Sequence, residues 1–342
     1  MCGLRSSSKV GVLVAVACLT VASCSPDKAA SDATSAAVQP LILYSSLPEE
    51  RVRVITAAYT EASGVAMHYM LDSPAVLIDK LVTKAHRPSA DVLLIADVGQ
   101  LAVAVEADVL RPTRAASIEA NIPVALRDPD NYWFGLSLRA ITIAYDTRSV
   151  DPAKLGGYAS LGDEEWFGRI CLLSSKAESS QTLVAFLIAV LGDRNAELVV
   201  RQWRKNLVRP VFSNGRDLLL AIEAGVCEVG IVGSDAVAEF AADPRVGHVA
   251  SYWPSTADGG VVLNLTGAGV TRHASNPQRA VAFLEWLAAP DGQRILNSSG
   301  RDYPANPRLD AWPEFDISPV DSARLGYLLP DVLRLVERAR YR

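Results

Sequence analysis

Residues 227–240 read CEVGIVGSDAVAEF: a buried strand, a tight turn and the start of a helix. Val229–Val232 is the strand, Gly233-Ser234 the turn, and the helix opens near Asp235. In α/β proteins such a step leaves a crevice at the strand's C-terminal end, and the helix N-terminus offers free N–H groups to it. Ser234 and Asp235 therefore stand where a small ligand would sit.

Strands and helices alternate on either side of this stretch, which predicts an α/β fold with a largely parallel sheet. Upstream, strand Leu41–Tyr44 leads to helix Glu49–Ala62, whose apolar residues Val52, Ile55 and Tyr59 have helical spacing before the C-cap signal Gly64. Strand Val65–Met70, helix Pro74–Ala85, strand Asp91–Ile95 and helix Val98–Ala107 complete a βαβαβ unit. A second unit follows: strand 169–173, helices 181–191, 195–204 and 216–224, strand 229–232 and helix 235–242. Two longer β-rich runs, Phe134–Tyr145 and Gly260–Val270, have the length to cross between units. Helices at 276–289, 291–297 and about 320–341 finish the chain. Two hinged lobes joined by two long crossing strands is the plan of a cleft-closing binding protein. The expected division is 40–138 plus 264–342 for lobe 1 and 139–263 for lobe 2.

The start of the chain points to a compartment. Arg5 and Lys9 precede an apolar run, Val10–Thr20, too short to span a bilayer as a mature helix. Val21-Ala22-Ser23-Cys24 then matches a lipoprotein cleavage site. Residues 1–23 are expected to be removed and Cys24 to carry lipid; an ordinary secretory signal cut nearby is the alternative. Residues 24–39 are small and polar and read as a flexible tether. The expected location is the extracytoplasmic face of a bacterial membrane, periplasmic and lipid-anchored.

The net charge is −5, and losing Arg5 and Lys9 with no acidic residue takes it to −7. That argues against a nucleic-acid partner, which needs clustered Lys and Arg. Of five cysteines, Cys2 and Cys18 leave with the signal and Cys24 takes the lipid. Cys171 and Cys227 remain, each in or beside an apolar strand, and an oxidising compartment favours a disulfide between them over two buried thiols.

Polar residues gather at the predicted strand ends. The first strand runs into Ser45, Ser46 and Glu49, and the third into Asp97. Strand 169–173 runs into Ser174, Ser175, Glu178 and Ser179, and strand 229–232 into Ser234 and Asp235. Taken singly, each Ser or Asp also reads as a helix N-cap. Taken together, four strand ends from two lobes predict a ligand cleft. Arg139, inside a long β run, is an exposed edge residue or a paired or ligand-facing one. Enzyme signatures are missing: Ser234 lacks a G-x-S-x-G frame, the four histidines are isolated, and there is no P-loop or G-x-G-x-x-G.

Several stretches resemble the ferric-ion-binding proteins of ABC importers, within the type II periplasmic binding fold. They are Tyr44-Ser45-Ser46, Ser89–Leu94, Asn121-Ile122-Pro123, Leu126–Asp130, Trp133–Ala140, Trp166–Cys171, Ala224–Val229, Asn264–Val270 and Tyr303–Pro307. The resemblance covers nearly all of 40–308. It implies a monomeric substrate-binding component, without enzymatic activity, that works with an ABC permease and ATPase. No resident cofactor is expected, with Fe³⁺ or an iron complex as the transported ligand. The family holds Fe³⁺ with phenolates, hard donors for a hard cation. At the corresponding places this chain reads Asp235-Ala236-Val237, Ser179 and Leu47-Pro48-Glu49. Glu49 and Asp235 are then the candidate metal ligands, completed by waters or a carried anion. Ser45, Ser46, Arg139, Ser174 and Ser175 suit an anion, and Ser179 and Ser234 are further ligand-binding candidates. A small polar or phosphorylated organic ligand, or a non-transport lipoprotein with a degenerate site, are the other readings.

Overall fold

The computed structural model describes Gly11 and residues 39–83, 90–244 and 246–342. The rest of the expected signal segment, and the tether to residue 38 with Cys24, lie outside the described residues. In chain order the elements are β1 (Leu41–Ser45), α1 (Glu49–Ser63), β2 (Met67–Leu71), α2 (Pro74–Thr83), β3 (Val92–Ile95), α3 (Val98–Glu106), α4 (Ala116–Asn121) and β4 (Phe134–Asp146). Then come β5 (Ile170–Cys171), α5 (Glu178–Leu191), α6 (Asp193–Asn206), α7 (Gly215–Glu223), β6 (Val229–Gly233), α8 (Ser234–Ala241), β7 (Val249–Tyr252) and β8 (Leu263–Val270). The chain ends with α9 (Pro277–Ala288), α10 (Pro290–Leu296), β9 (Tyr303–Pro304), α11 (Ser322–Tyr327) and α12 (Leu329–Arg338).

Local chemistry sets these boundaries. α1 stops where Gly64 takes a left-handed φ of 72° and returns its N–H to the Thr60 carbonyl, a conformation that costs glycine least. α9 begins where the Asn276 side chain accepts the Arg279 N–H at 3.1 Å, with Pro277 at the first helical position. The expected single C-terminal helix is two, α11 and α12, because the chain turns at Leu328 and Pro330 restarts the second as a first-turn residue.

The strands run β2-β1-β3-β8-β4-β6-β5, with β7 and β9 also on β4. Among the described strands, β1–β2, β1–β3 and β5–β6 pair in parallel; β8 runs antiparallel to β3 and β4, and β4 antiparallel to β6, β7 and β9. The sheet is therefore mixed, not largely parallel. The βαβ units do supply parallel pairs, but the long returning strands β4 and β8 enter against their neighbours.

β4 is the strand that passes from one core to the other. Phe134, Leu136, Leu138 and Ala140 are buried in a cluster with β1, β3, β8 and α9. Ile141 and Ile143 belong to a second cluster with α5, α6 and α12, and Ala144 to a third around Cys171, Cys227 and α7. The chain leading into β8 divides similarly: Val261 and Leu263 pack in the first cluster and Val262 in the second. The α11–α12 segment contributes Leu325, Val332, Leu335 and Tyr341 to the second cluster. Cys171 and Cys227 form a disulfide, with Cα atoms 5.9 Å apart, where β5 and β6 run side by side.

Candidate ligand cleft at the crossing strand

The middle of β4 has a gap in one of its ladders. On one edge β6 pairs from Ile141 onward and β9 pairs at Ser137 and Leu138. Arg139 and Ala140 fall between. Ile141 donates its N–H to Val262 on the β8 side, so Ala140 points its own the other way, into the gap. The buried Ser234 hydroxyl accepts it at 3.1 Å. A buried N–H without an acceptor costs about 1–3 kcal/mol, so a hydroxyl at the first position of α8 is a structural need.

Arg139 reaches from the gap to groups on both sides. Its guanidinium donates to the Ala96 carbonyl, at the end of β3, and to the Glu178 carboxylate of α5 at 3.2 Å. Next to Ala96, Asp97 is fully buried and caps α3, accepting the Gln100 N–H and the Asn264 side-chain N–H, each at 3.2 Å. Burial pushes the Asp97 carboxyl above the usual carboxylate range, and the nearby Arg139 charge pulls it back. Glu178 is pushed up to about 7, first by the protein packed around it; Arg139 opposes this, while the charges of Asp97 and Asp235 add to it. Its side chain is nonetheless 46% exposed, because one side opens into a cavity.

That cavity, of about 170 Å³, is lined by Arg139, Glu178, Ser179, Asp235 and Asn264, with Gly215 and Gly233 leaving room for it. No tyrosine is among the described residues that line it. One guanidinium thus faces two carboxylates and a hydroxyl, with a third carboxylate buried behind. Such a set suits a ligand that carries both signs, or a cation brought in with an anion. A second cavity, of about 1180 Å³, adjoins the same helix start through Ser234.

A family described as bacterial extracellular solute-binding protein matches residues 41–302. The chain belongs to this family. Iron uptake protein A2 of Synechocystis sp. is 32% identical over 278 residues, covering 76% of this chain and 79% of its own. Iron uptake protein A1 of the same organism is 27% identical over 330 residues, covering 93% and 91%. A solved structure of the Trichodesmium protein IdiA (FutA), in complex with iron and citrate ligands, has a TM-score of 0.84 and 27% identity, covering 89% of this chain and all of that one. The fold is accordingly that of type II periplasmic binding proteins, and the family is one of transport components, not of enzymes.

In this solute-binding protein the sequence-predicted residues fall into four groups. Arg139, Ser179 and Asp235 line one cavity. Ser179 does so from the first turn of α5, which starts at Glu178 and not at 181 as expected from the sequence. Ser45, Ser46, Ser174 and Ser234 use their hydroxyls to accept backbone N–H groups, from Leu47, Ala96, Lys176 and Ala140 respectively. For Ser45 and Ser174 this is a local turn, the N–H lying two residues on, whereas Ser46 and Ser234 hold backbone 50 and 94 residues away; none of the four is the helix N-cap that each suggests singly. Ser175 is buried. Glu49 stands apart, exposed at the start of α1, where the Tyr69 hydroxyl donates to it at 3.5 Å. It does not line the cavity that Asp235 lines. Among the described residues no three of His, Cys, Asp and Glu are grouped to hold a metal ion.

Glu178 and Asn264 also line the cavity that Asp235 lines, though the sequence does not single them out as ligand-binding. Glu178 was visible only as a residue after a serine pair. Asn264 carried a signal that went unused, a lone amide in the apolar run Leu263–Val270.

Proposed function

We propose that this protein is the substrate-binding component of an ABC importer for iron, taken up as Fe³⁺ in complex with an anion. What carries the reading is the meeting of Arg139, Glu178 and Asp235 at the crossing strand, in a chain similar over most of its length to iron uptake proteins A1 and A2. Asp235 and Glu178 are oxygen donors suited to a hard cation. Arg139 and the Ser179 hydroxyl are placed for the anion that accompanies it. A bare ferric ion is the poorer cargo, since a guanidinium already sits among the carboxylates.

In this reading two lobes close on the cargo and release it to a permease and ATPase, with no chemistry of the protein's own. The boundary runs through β4 near Arg139; α12 goes with the second lobe, whose core it shares, while α11 places Ala323 in the first core and Leu325 in the second. Among the described residues no helix is long and apolar enough to cross a membrane. Attachment is assigned to lipid on Cys24, on the extracytoplasmic face, after removal of 1–23.

Native mass spectrometry of protein purified from its host tests this directly. The expected result is a mass increment of iron plus an organic acid. An iron-free organic increment would instead favour a small polar solute, the second reading that the Arg139–Asp235 pairing of charges allows. Titration with Fe³⁺–citrate should show Asp235→Asn weakening affinity about tenfold, the loss of one charged contact. Equal affinity in the variant would remove Asp235 from the site.

A further inference from the structure

The larger cavity has no part in the function proposed above. Its volume of about 1180 Å³ exceeds the roughly 300–1,000 Å³ of ordinary small-molecule sites. A metal ion with donors at about 2–2.6 Å needs far less room. Part of its wall is aromatic, among polar and charged residues. Trp253 and Phe315 stack at 4.6 Å between ring centres, Tyr303 meets Phe315 edge-on at 5.5 Å, and Trp312 lines the same space. All four rings are only partly buried, so each keeps surface free.

The loop behind these rings is unusual. Residues 305–321 join β9 to α11 without a helix or strand. Loops beyond roughly 12–15 residues without such structure are uncommon in compact domains and are most often functional. This one is held in place: Val261 donates its N–H to the Asp316 carbonyl at 2.7 Å and accepts the Ser318 N–H at 2.9 Å, and the Asp316 carboxylate accepts the Thr256 N–H at 3.0 Å. At the rim, Arg301 pairs with Glu239 of α8 at 3.2 Å. The Arg308 guanidinium has no hydrogen-bond or ion-pair partner among the described residues. Asp310 and Glu314 give the rim acidic groups as well, which suits a ligand of low net charge.

We propose that this cavity takes a planar aromatic ring bearing oxygen donors, the organic part of a ferric complex. The choice of a ferric complex rests on the iron reading above; the choice of an aromatic ring rests on the cavity walls alone. Rings pack face-offset or edge-on at about 4.5–7 Å, the geometry that the wall residues already adopt with one another. Arg308 is free to meet a ring oxygen or stack on the ring face. Ser234 lines this cavity while its neighbours Gly233 and Asp235 line the smaller one, so a chelate could place its ring in the first and its metal toward the second.

Isothermal titration with three probes tests the assignment: ferric 2,3-dihydroxybenzoate, iron-free 2,3-dihydroxybenzoate and ferric citrate. Wild type should bind the ferric aromatic complex more tightly than ferric citrate. Trp312→Ala should weaken the aromatic complex about tenfold, and Trp312→Phe should restore most of it. Thermal unfolding of both variants checks that they fold. The assignment is overturned if the aromatic complex binds no better than citrate. It is equally overturned if Trp312→Ala weakens both ferric probes alike, or if Trp312→Phe restores nothing. Should neither ferric probe bind while the iron-free ring binds in a Trp312-dependent way, the iron reading falls and the ring site stands.

Discussion

The two sides that β4 joins meet the small cavity in opposite ways. From the first core come β1, β3 and β8, whose ends are already bonded. Ser46 accepts the Ala96 N–H, Asp97 caps α3, and Asn264 links Asp97 to the Val98 and Leu265 N–H groups. From the second side come the first turns of α5 and α8, and these keep polar groups in reserve. Asp235 has no hydrogen-bond or ion-pair partner among the described residues, and Glu178 has only Arg139. A rim whose groups are bonded to one another is rigid; a rim whose groups are not has something left to offer a ligand. In the function proposed above, recognition is thus weighted toward the second side, with the first as the fixed side of the cleft.

The largest test of this contrast is the disulfide, which lies on the second side alone. Cys171 and Cys227 close a loop of sequence separation 56. Replacing both by alanine should cost about 4 kcal/mol in the chain-entropy model. Denaturant unfolding should show that loss, and hydrogen exchange should concentrate it in β5, β6 and α7. Uniform loosening of both cores would mean that the sides are less independent than their separate clusters imply.

Next in size is Arg139→Met. The arginine side chain is largely buried and is, among the described residues, the cation acting on the buried Asp97. Removing one partner from a buried charge pair typically costs about 3–5 kcal/mol; the exposure of Glu178 puts this case near the lower end. Asp97→Asn in the same chain should recover part of the loss, because it removes the charge left behind. No recovery in that double variant, measured by urea unfolding, would show that Arg139 matters through packing and not through charge.

Ser234→Ala is smaller, about 1–2 kcal/mol, from the stranded Ala140 N–H. Ser234→Thr keeps the hydroxyl and should behave as wild type if the hydrogen bond is the whole effect. Equal loss in both variants would assign the cost to shape.

These sizes also explain what could be read from the sequence. The elements were legible wherever periodicity and a cap agreed, as in α1 with Gly64 or α9 with Asn276 and Pro277. The cysteine pairing was legible by counting. What could not be read was which duty a strand-end hydroxyl performs. Ser45, Ser46, Ser174 and Ser234 have the same sequence signature whether they hold a ligand or a backbone N–H. Their acceptor roles depend on groups between 2 and 94 residues away. Glu49 escaped for a related reason: the first turn of a helix has an inner and an outer face, and the apolar spacing of α1 is too short there to tell them apart. Sheet direction also lay beyond the pattern, since a long strand that returns after an excursion looks the same parallel or antiparallel.

The smallest effect is the pH response of Glu178, and it separates the two sides most cleanly. Its folded-state value is about 7 against an ordinary 4.5. Below 4.5 the carboxyl is protonated whether the chain is folded or not, so it has no effect on stability. Between 4.5 and 7 the folded protein keeps a proton that the unfolded chain releases. Stability should therefore fall as pH rises through this window, and above 7 the full cost of the ionised group is present. Because the side chain opens into the cavity, solvent screens part of that cost and the slope will be shallow. Glu178→Gln should flatten the slope while leaving the rest of the pH–stability curve in place. Ligand affinity should move the other way in wild type: a cargo that needs the ionised carboxylate binds more tightly above pH 7, and that gain should vanish in the variant. Parallel wild-type and variant curves, in unfolding and in binding, would mean that Glu178 is an ordinary surface acid and that the second side holds less in reserve than its geometry implies.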